Sequence, residues 1–214
     1  MSHDIVRTLS VGQAVEIQDA CRRQEVTLAE LKLLTSGTNL RRSINWLNGT
    51  AAPAEKLKLL ESVATVPVTA TTRFVAADRF VADTSKKAKV KIAFAWDNFK
   101  NNFVPKVETD IQAGELKIHK ILRDSLDKPI IAELGANHET YLADLWAMLL
   151  EQPNGEKGKL LVDGRTNIFY IRDVEGVRWA VSVGWYPDYG DWGLHAYSVS
   201  DPHPWYAGNQ VVSR

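Results

Sequence analysis

The chain has one cysteine in 214 residues, Cys21, so no intramolecular disulfide can form. Cys21 stands beside Arg22 and Arg23, which favour a thiolate. With no CxxC or companion motif, it reads as a small helix residue without a redox role. Net charge is also missing, because 26 basic and 26 acidic side chains cancel. The whole chain therefore offers no electrostatic footprint for nucleic acid or an anionic membrane. No apolar run approaches about 18 residues, so no membrane-spanning helix is expected. The opening Met-Ser-His-Asp-Ile-Val-Arg lacks the charged-then-apolar layout of a signal peptide, and the chain reads as cytoplasmic. GxGxxG, the P-loop, GxSxG, HExxH and Cys/His zinc spacings are all absent. Their absence argues against an enzyme built on common cofactor machinery, and no cofactor is expected.

What remains is ordinary globular material, 45% hydrophobic and 24% charged, which excludes wholesale disorder. The zero charge hides a gradient of +1 over residues 1–72, +3 over 73–134 and −4 over 135–214. Residues 1–65 carry helical patterns with tight breaks. Ser10 caps a stretch over 11–23. Thr27 and Glu30 form a capping-box pair ahead of Leu28, Leu31 and Leu34, Gly37 and Gly49 act as stops, and Pro53 opens a last helix to about residue 63. These features predict an N-terminal helical bundle.

Residues 66–154 read as a mixed α+β region. The stretch 63–72 is β-branched, uncharged and interrupted by Pro67, which suits a linker or edge strand. Val90, Ile92, Phe94 and Trp96 alternate with Lys89, Lys91, Ala93 and Ala95, as one half-buried strand would. Short helices are expected near 99–103 and 130–134, with residues 124–128 as a turn, and the clearest helix lies over 140–151. Residues 155–214 read as an aromatic-rich antiparallel β domain with strands at 160–162, 167–172, 177–186, 194–200 and 210–213. Five short strands in so few residues predict a small β-barrel or curled sheet of SH3-like or OB-like size. The fold class expected is α+β, and the central stretch can complete a sheet with the C-terminal strands.

Three groups of side chains invite a functional reading. Four of seven Trp and five of six Tyr follow residue 155. Trp179 and Trp185 share the apolar face of one strand. Tyr186, Tyr189, Trp192, Trp205 and Tyr206 fall in or beside loops, where aromatics with a polar tip serve as stacking surfaces. His195, Asp201 and His203, with Asp188 and Asp191 nearby, offer metal-ligating or acid–base chemistry, but at no recognised ligand spacing. Arg41 and Arg42 begin the second helix of a helix-turn-helix outline, and Lys86, Lys87, Lys89 and Lys91 add a basic stripe along a strand.

The segments Asn-Ile-Phe-Tyr-Ile-Arg-Asp from Asn167 and Trp-Tyr-Ala-Gly-Asn-Gln-Val-Val-Ser-Arg from Trp205 resemble stretches of uncharacterised bacterial proteins. The resemblance covers the last third of the chain. It implies a bacterial or phage setting and no activity.

The residues favour a non-catalytic binding or assembly protein whose C-terminal aromatics recognise a protein or peptide. A nucleic-acid-associated protein using the helical hairpin and basic strand is the first alternative, and a metal-dependent or His/Asp hydrolase the second. No membrane partner is expected, and the oligomeric state is not set by the sequence.

Overall fold

From Leu60 the chain runs Leu-Glu-Ser-Val-Ala-Thr-Val-Pro-Val, too β-branched to favour a helix. In the computed structural model, which describes residues 58–214, this stretch is strand β1 (Leu60–Val68). The helix expected to reach about residue 63 is therefore corrected at its end. The rest of the expected helical bundle, with Cys21, Arg41 and Arg42, lies outside the described residues.

Eight further strands follow: β2 (Thr71–Val75), β3 (Ile92–Ala95), β4 (Val107–Ile111), β5 (Gly114–Ile121), β6 (Thr166–Arg172), β7 (Arg178–Tyr186), β8 (Asp191–Ser198) and β9 (Gln210–Ser213). Three helices intervene: α1 (Asp97–Phe103), α2 (Asp127–Leu134) and α3 (Leu142–Leu150). None of the helices among the described residues is long and apolar enough to cross a membrane.

Seven strands form one mixed sheet in the order β1-β5-β9-β6-β7-β8-β3, and β2 pairs with β4 in a separate two-stranded sheet. The expected small C-terminal barrel does not exist. Closing one from β6 to β9 would require β8 to pair with β9. Instead β9 lies between β6 (parallel) and β5 (antiparallel), and β8 takes β3 as a parallel neighbour. Both edges of the C-terminal strands are thus capped by earlier strands, which leaves an open sheet. Pro67 is tolerated because β1 is its edge strand.

The strand expected at 160–162 is also absent. There the Asn167 side chain takes the part of a strand partner. Its Oδ1 accepts the Leu161 N–H at 2.8 Å and its Nδ2 donates to the Leu161 carbonyl at 3.1 Å. Lys86, Lys87, Lys89 and Lys91 precede β3 rather than lying along it, so the basic strand is corrected to a turn and its exit.

The sheet is buried unequally on its two faces. Val181, Val183 and Trp185 of β7, with Leu194 and Ala196 of β8, join Leu145, Leu149, Phe99 and Phe103 in the main core. α3 begins where it does because Glu108, on β4, is buried and accepts the Leu142 and Ala143 N–H groups, both at 3.0 Å. Those are two of the donors a helix start leaves without intrahelical partners. Among the described residues, α2 covers one end of the opposite face, where Ile130 packs with Ile121, Ile168, Tyr170, Ala180 and Val211.

Candidate functional site

On that second face, strand alternation brings Ser182, Gly184 and Tyr186 of β7 beside Gly193, His195 and Tyr197 of β8. Ser182 is register-paired with His195 and Gly184 with Gly193. Small residues at these positions leave a depression rather than a packed surface. A cleft of about 430 Å³ opens here, lined by Asp127, Thr166, Ser182, Tyr186, His195, Tyr197 and the 201–208 loop with Asn209.

β3 packs behind the cleft's Tyr186 and His195 through an irregularity. Ile92 pairs with Trp192, but Phe94 already pairs with Gly193, so one extra residue sits on β3. Such a bulge moves the following side chains to the other face. Ile92 and Ala95 stay in the main core. Phe94 packs on Tyr186 with ring centres 5.3 Å apart, and edge-on to Trp96 at 4.0 Å. Gly193 is what admits the Phe94 ring, because a Cβ there would stand 2.5 Å from it and 2.7 Å from Tyr186.

The aromatic array is continuous. The His195 imidazole is stacked on Trp96 at 27° on one side and on Tyr197 at 11° on the other. Tyr197 meets Trp205 edge-to-face, 5.6 Å between centres at 83°. The 201–208 loop is strapped down to carry Trp205. Ser125 and Trp205 exchange backbone hydrogen bonds of 3.0 and 2.8 Å, and the Ala207 N–H donates to Asp124 at 2.8 Å.

Asp127, at the start of α2, anchors the inner wall and is 2% exposed. Its Oδ1 accepts the Tyr170 hydroxyl and the Trp205 indole N–H, each at 2.7 Å. Oδ2 takes no hydrogen bond among the described residues.

Burial sets the protonation states. Desolvation pushes His195 down to about 4, so the ring is neutral at pH 7. The Tyr197 hydroxyl lies 3.4 Å from its Nδ1. Desolvation also raises Tyr186 and Tyr197, leaving both as phenols. It raises Asp127 above the usual aspartate range, an effect opposed by the Tyr170 and Trp205 donors and reinforced by Asp201. Asp201 itself is held low by the His203 backbone N–H (2.9 Å) and imidazole (2.7 Å).

The residues singled out from sequence divide three ways. Tyr186, Trp205, Tyr206, His195, Asp201 and His203 all line the cleft. Tyr189 is 79% exposed in the 187–190 turn and lies outside it. Trp192 is fully buried, edge-on to Trp185 at 5.4 Å, with its indole N–H donating to the Gln152 carbonyl at 3.0 Å. Among the described residues no group of three or more His, Cys, Asp or Glu is arranged to hold a metal ion. Lys87 and Lys89 border a separate 220 Å³ hollow with Asp78, Asp83 and Trp146.

Asp127, Ser182 and Tyr197 also line the cleft, Phe94 and Trp96 stand behind its Tyr186 and His195 rings, and none of the five was singled out from sequence. The period-2 pattern around β7 and β8 carried the signal for Ser182 and Tyr197. Nothing local signals Asp127, which meets Trp205 across 78 residues. No protein-family model, curated protein or solved structure matches the chain.

Proposed function

We propose that this is a non-catalytic binding protein that takes a side chain of a partner polypeptide into the aromatic cleft. The observation that carries the reading is the unbroken ring array from Phe94 and Trp96 through His195 and Tyr197 to Trp205, on a sheet face that α2 covers at its other end. Stacked aromatics offer large contact area with little conformational entropy to lose on binding. Their positions are fixed beforehand by the β3 bulge and the strapped 201–208 loop.

The dimensions favour a side chain from a longer partner. At about 430 Å³ the cleft is near the small end of ligand sites. Tyr206, 66% exposed, lines it, and Trp96, 42% exposed, extends the ring surface beyond His195. Those rings offer surface to the partner's main chain on either side of the inserted group. A bacterial or phage setting belongs to the same reading.

The test uses blocked tripeptides, acetyl-Gly-Xaa-Gly-amide, with each natural residue at the centre, titrated calorimetrically. At least one should bind. Tyr197→Ala should weaken that peptide about tenfold or more, the size expected of a central interface aromatic. Ser182→Trp, which fills the cleft floor, should abolish binding, whereas Tyr189→Ala should leave affinity within about twofold. Binding by Ser182→Trp equal to wild type would overturn the proposal.

A further inference from the structure

We infer that the cleft selects a cationic side chain, lysine or arginine, as the group it takes from its partner. The inference rests on the reading of the cleft as a binding site and names the chemistry of the occupant.

Charge gives the first reason. The lining contains two carboxylates, Asp127 and Asp201, and neither a Lys nor an Arg. Two other hollows, of about 330 and 410 Å³, each carry several cations alongside one carboxylate, Glu133 or Glu139. One holds Lys58, Lys117 and Arg214, and the other Lys106, Arg172 and Arg214. The aromatic cleft is thus the one of these three that places no fixed cation against an incoming cation. Its two imidazoles do not reverse this. His195 is neutral at pH 7 through burial, and His203 is committed to Asp201 at the rim.

Ring geometry gives the second. Tyr197 and Trp205 meet at 83°, and Tyr206 stands beside them in the same lining. Perpendicular rings present a corner bounded by π-faces, whose negative quadrupoles attract a cation and gain strength where water is excluded. An anionic occupant would meet the same faces unfavourably.

Asp127 gives the third. It is a carboxylate 2% exposed that lines the cleft, and among the described residues no ion pair engages it. Oδ1 is saturated by its two donors, and Oδ2 has none among the described residues. Burying a carboxylate is costly, and an ammonium or guanidinium group entering the cleft would add a charged partner to it. Lys and Arg also carry apolar stems that suit the Tyr and Trp walls on the way in.

The experiment compares four blocked tripeptides on the full chain, with Lys, Arg, norleucine or Glu at the centre. Norleucine keeps the length and apolar stem of lysine without the charge. The Lys or Arg peptide should bind about tenfold more tightly than norleucine, and the Glu peptide more weakly than all. Asp127→Asn keeps the Oδ1 acceptor for Tyr170 and Trp205, and should shrink the Lys-to-norleucine ratio below about threefold. Equal binding of the norleucine and Lys peptides to wild type would overturn the cation preference while leaving the cleft as the binding site. A ratio unchanged in Asp127→Asn would overturn the part given to the carboxylate. If no peptide binds, or Ser182→Trp binds them all unchanged, the binding reading fails and the inference with it.

Discussion

Trp192→Ala should lower the free energy of unfolding by about 3–5 kcal/mol, the range for truncating a large buried aromatic. The indole is fully buried, edge-on to Trp185, and hydrogen-bonded to the Gln152 carbonyl. Gln152 is itself a clamp. Its side chain donates to the carbonyls of Glu156 (2.6 Å) and Leu160 (3.1 Å), and accepts the Leu160 N–H at 2.7 Å. The 153–160 segment above the two tryptophans is therefore fixed through one amide. Emptying the Trp192 site removes packing beneath that segment as well as the ring's own burial. Urea unfolding followed by circular dichroism measures the loss, and a change below about 1 kcal/mol would show that Trp192 is not a core residue.

Asp127→Ala should cost about 2–4 kcal/mol, while Asp127→Asn should cost much less. Alanine leaves two donors, the Tyr170 hydroxyl and the Trp205 indole N–H, without their acceptor, at about 1–3 kcal/mol for a buried unsatisfied group. Relief of the buried carboxylate offsets part of that. Asparagine keeps an oxygen for both. The same residue gives a pH dependence of known sign. Folding raises the Asp127 pKa, so the folded state holds the proton more tightly than the unfolded chain. Its contribution is present at pH below the ordinary aspartate range and is lost as pH rises through the raised value. Asp127→Asn should remove that component of the pH–stability profile. Equal stability of the Ala and Asn variants would make the carboxylate a bystander in the wall of the cleft.

Much of the local structure was legible because it is written in short-range pattern. The helix over 140–151 appears as α3, strands are found at 166–172, 178–186 and 210–213, and the alternation along β7 puts Val181, Val183 and Trp185 in the core. The strand order was not legible, because β3 and β5 reach β8 and β9 across long sequence separations and with mixed direction. Trp192 was assigned to a loop because Pro187, Asp188, Gly190 and Gly193 read as one long turn. The turn ends at Gly190, whose φ of 74° completes it, and β8 begins at Asp191. Gly193 is instead a strand residue kept small by the Phe94 ring. The β3 bulge misled in a similar way. Strict alternation placed Ile92, Phe94 and Trp96 on one face, and a single extra residue sends the latter two to the other, against Tyr186 and His195. Asp127 looked like part of a turn, since its side chain acts through contacts 43 and 78 residues away.

The central claim is that the aromatic cleft on the second sheet face is where this protein meets a partner. The most direct measurement is two-dimensional NMR of the labelled chain titrated with the tightest-binding tripeptide. Shifts should concentrate on the indole N–H signals of Trp96 and Trp205, the His195 and Tyr197 ring signals, and the Ser182 and Gly193 amides, while Trp192 and Tyr189 move little. Shifts centred instead on edge strand β1, or on the hollow around Lys117 and His119, would contradict the account.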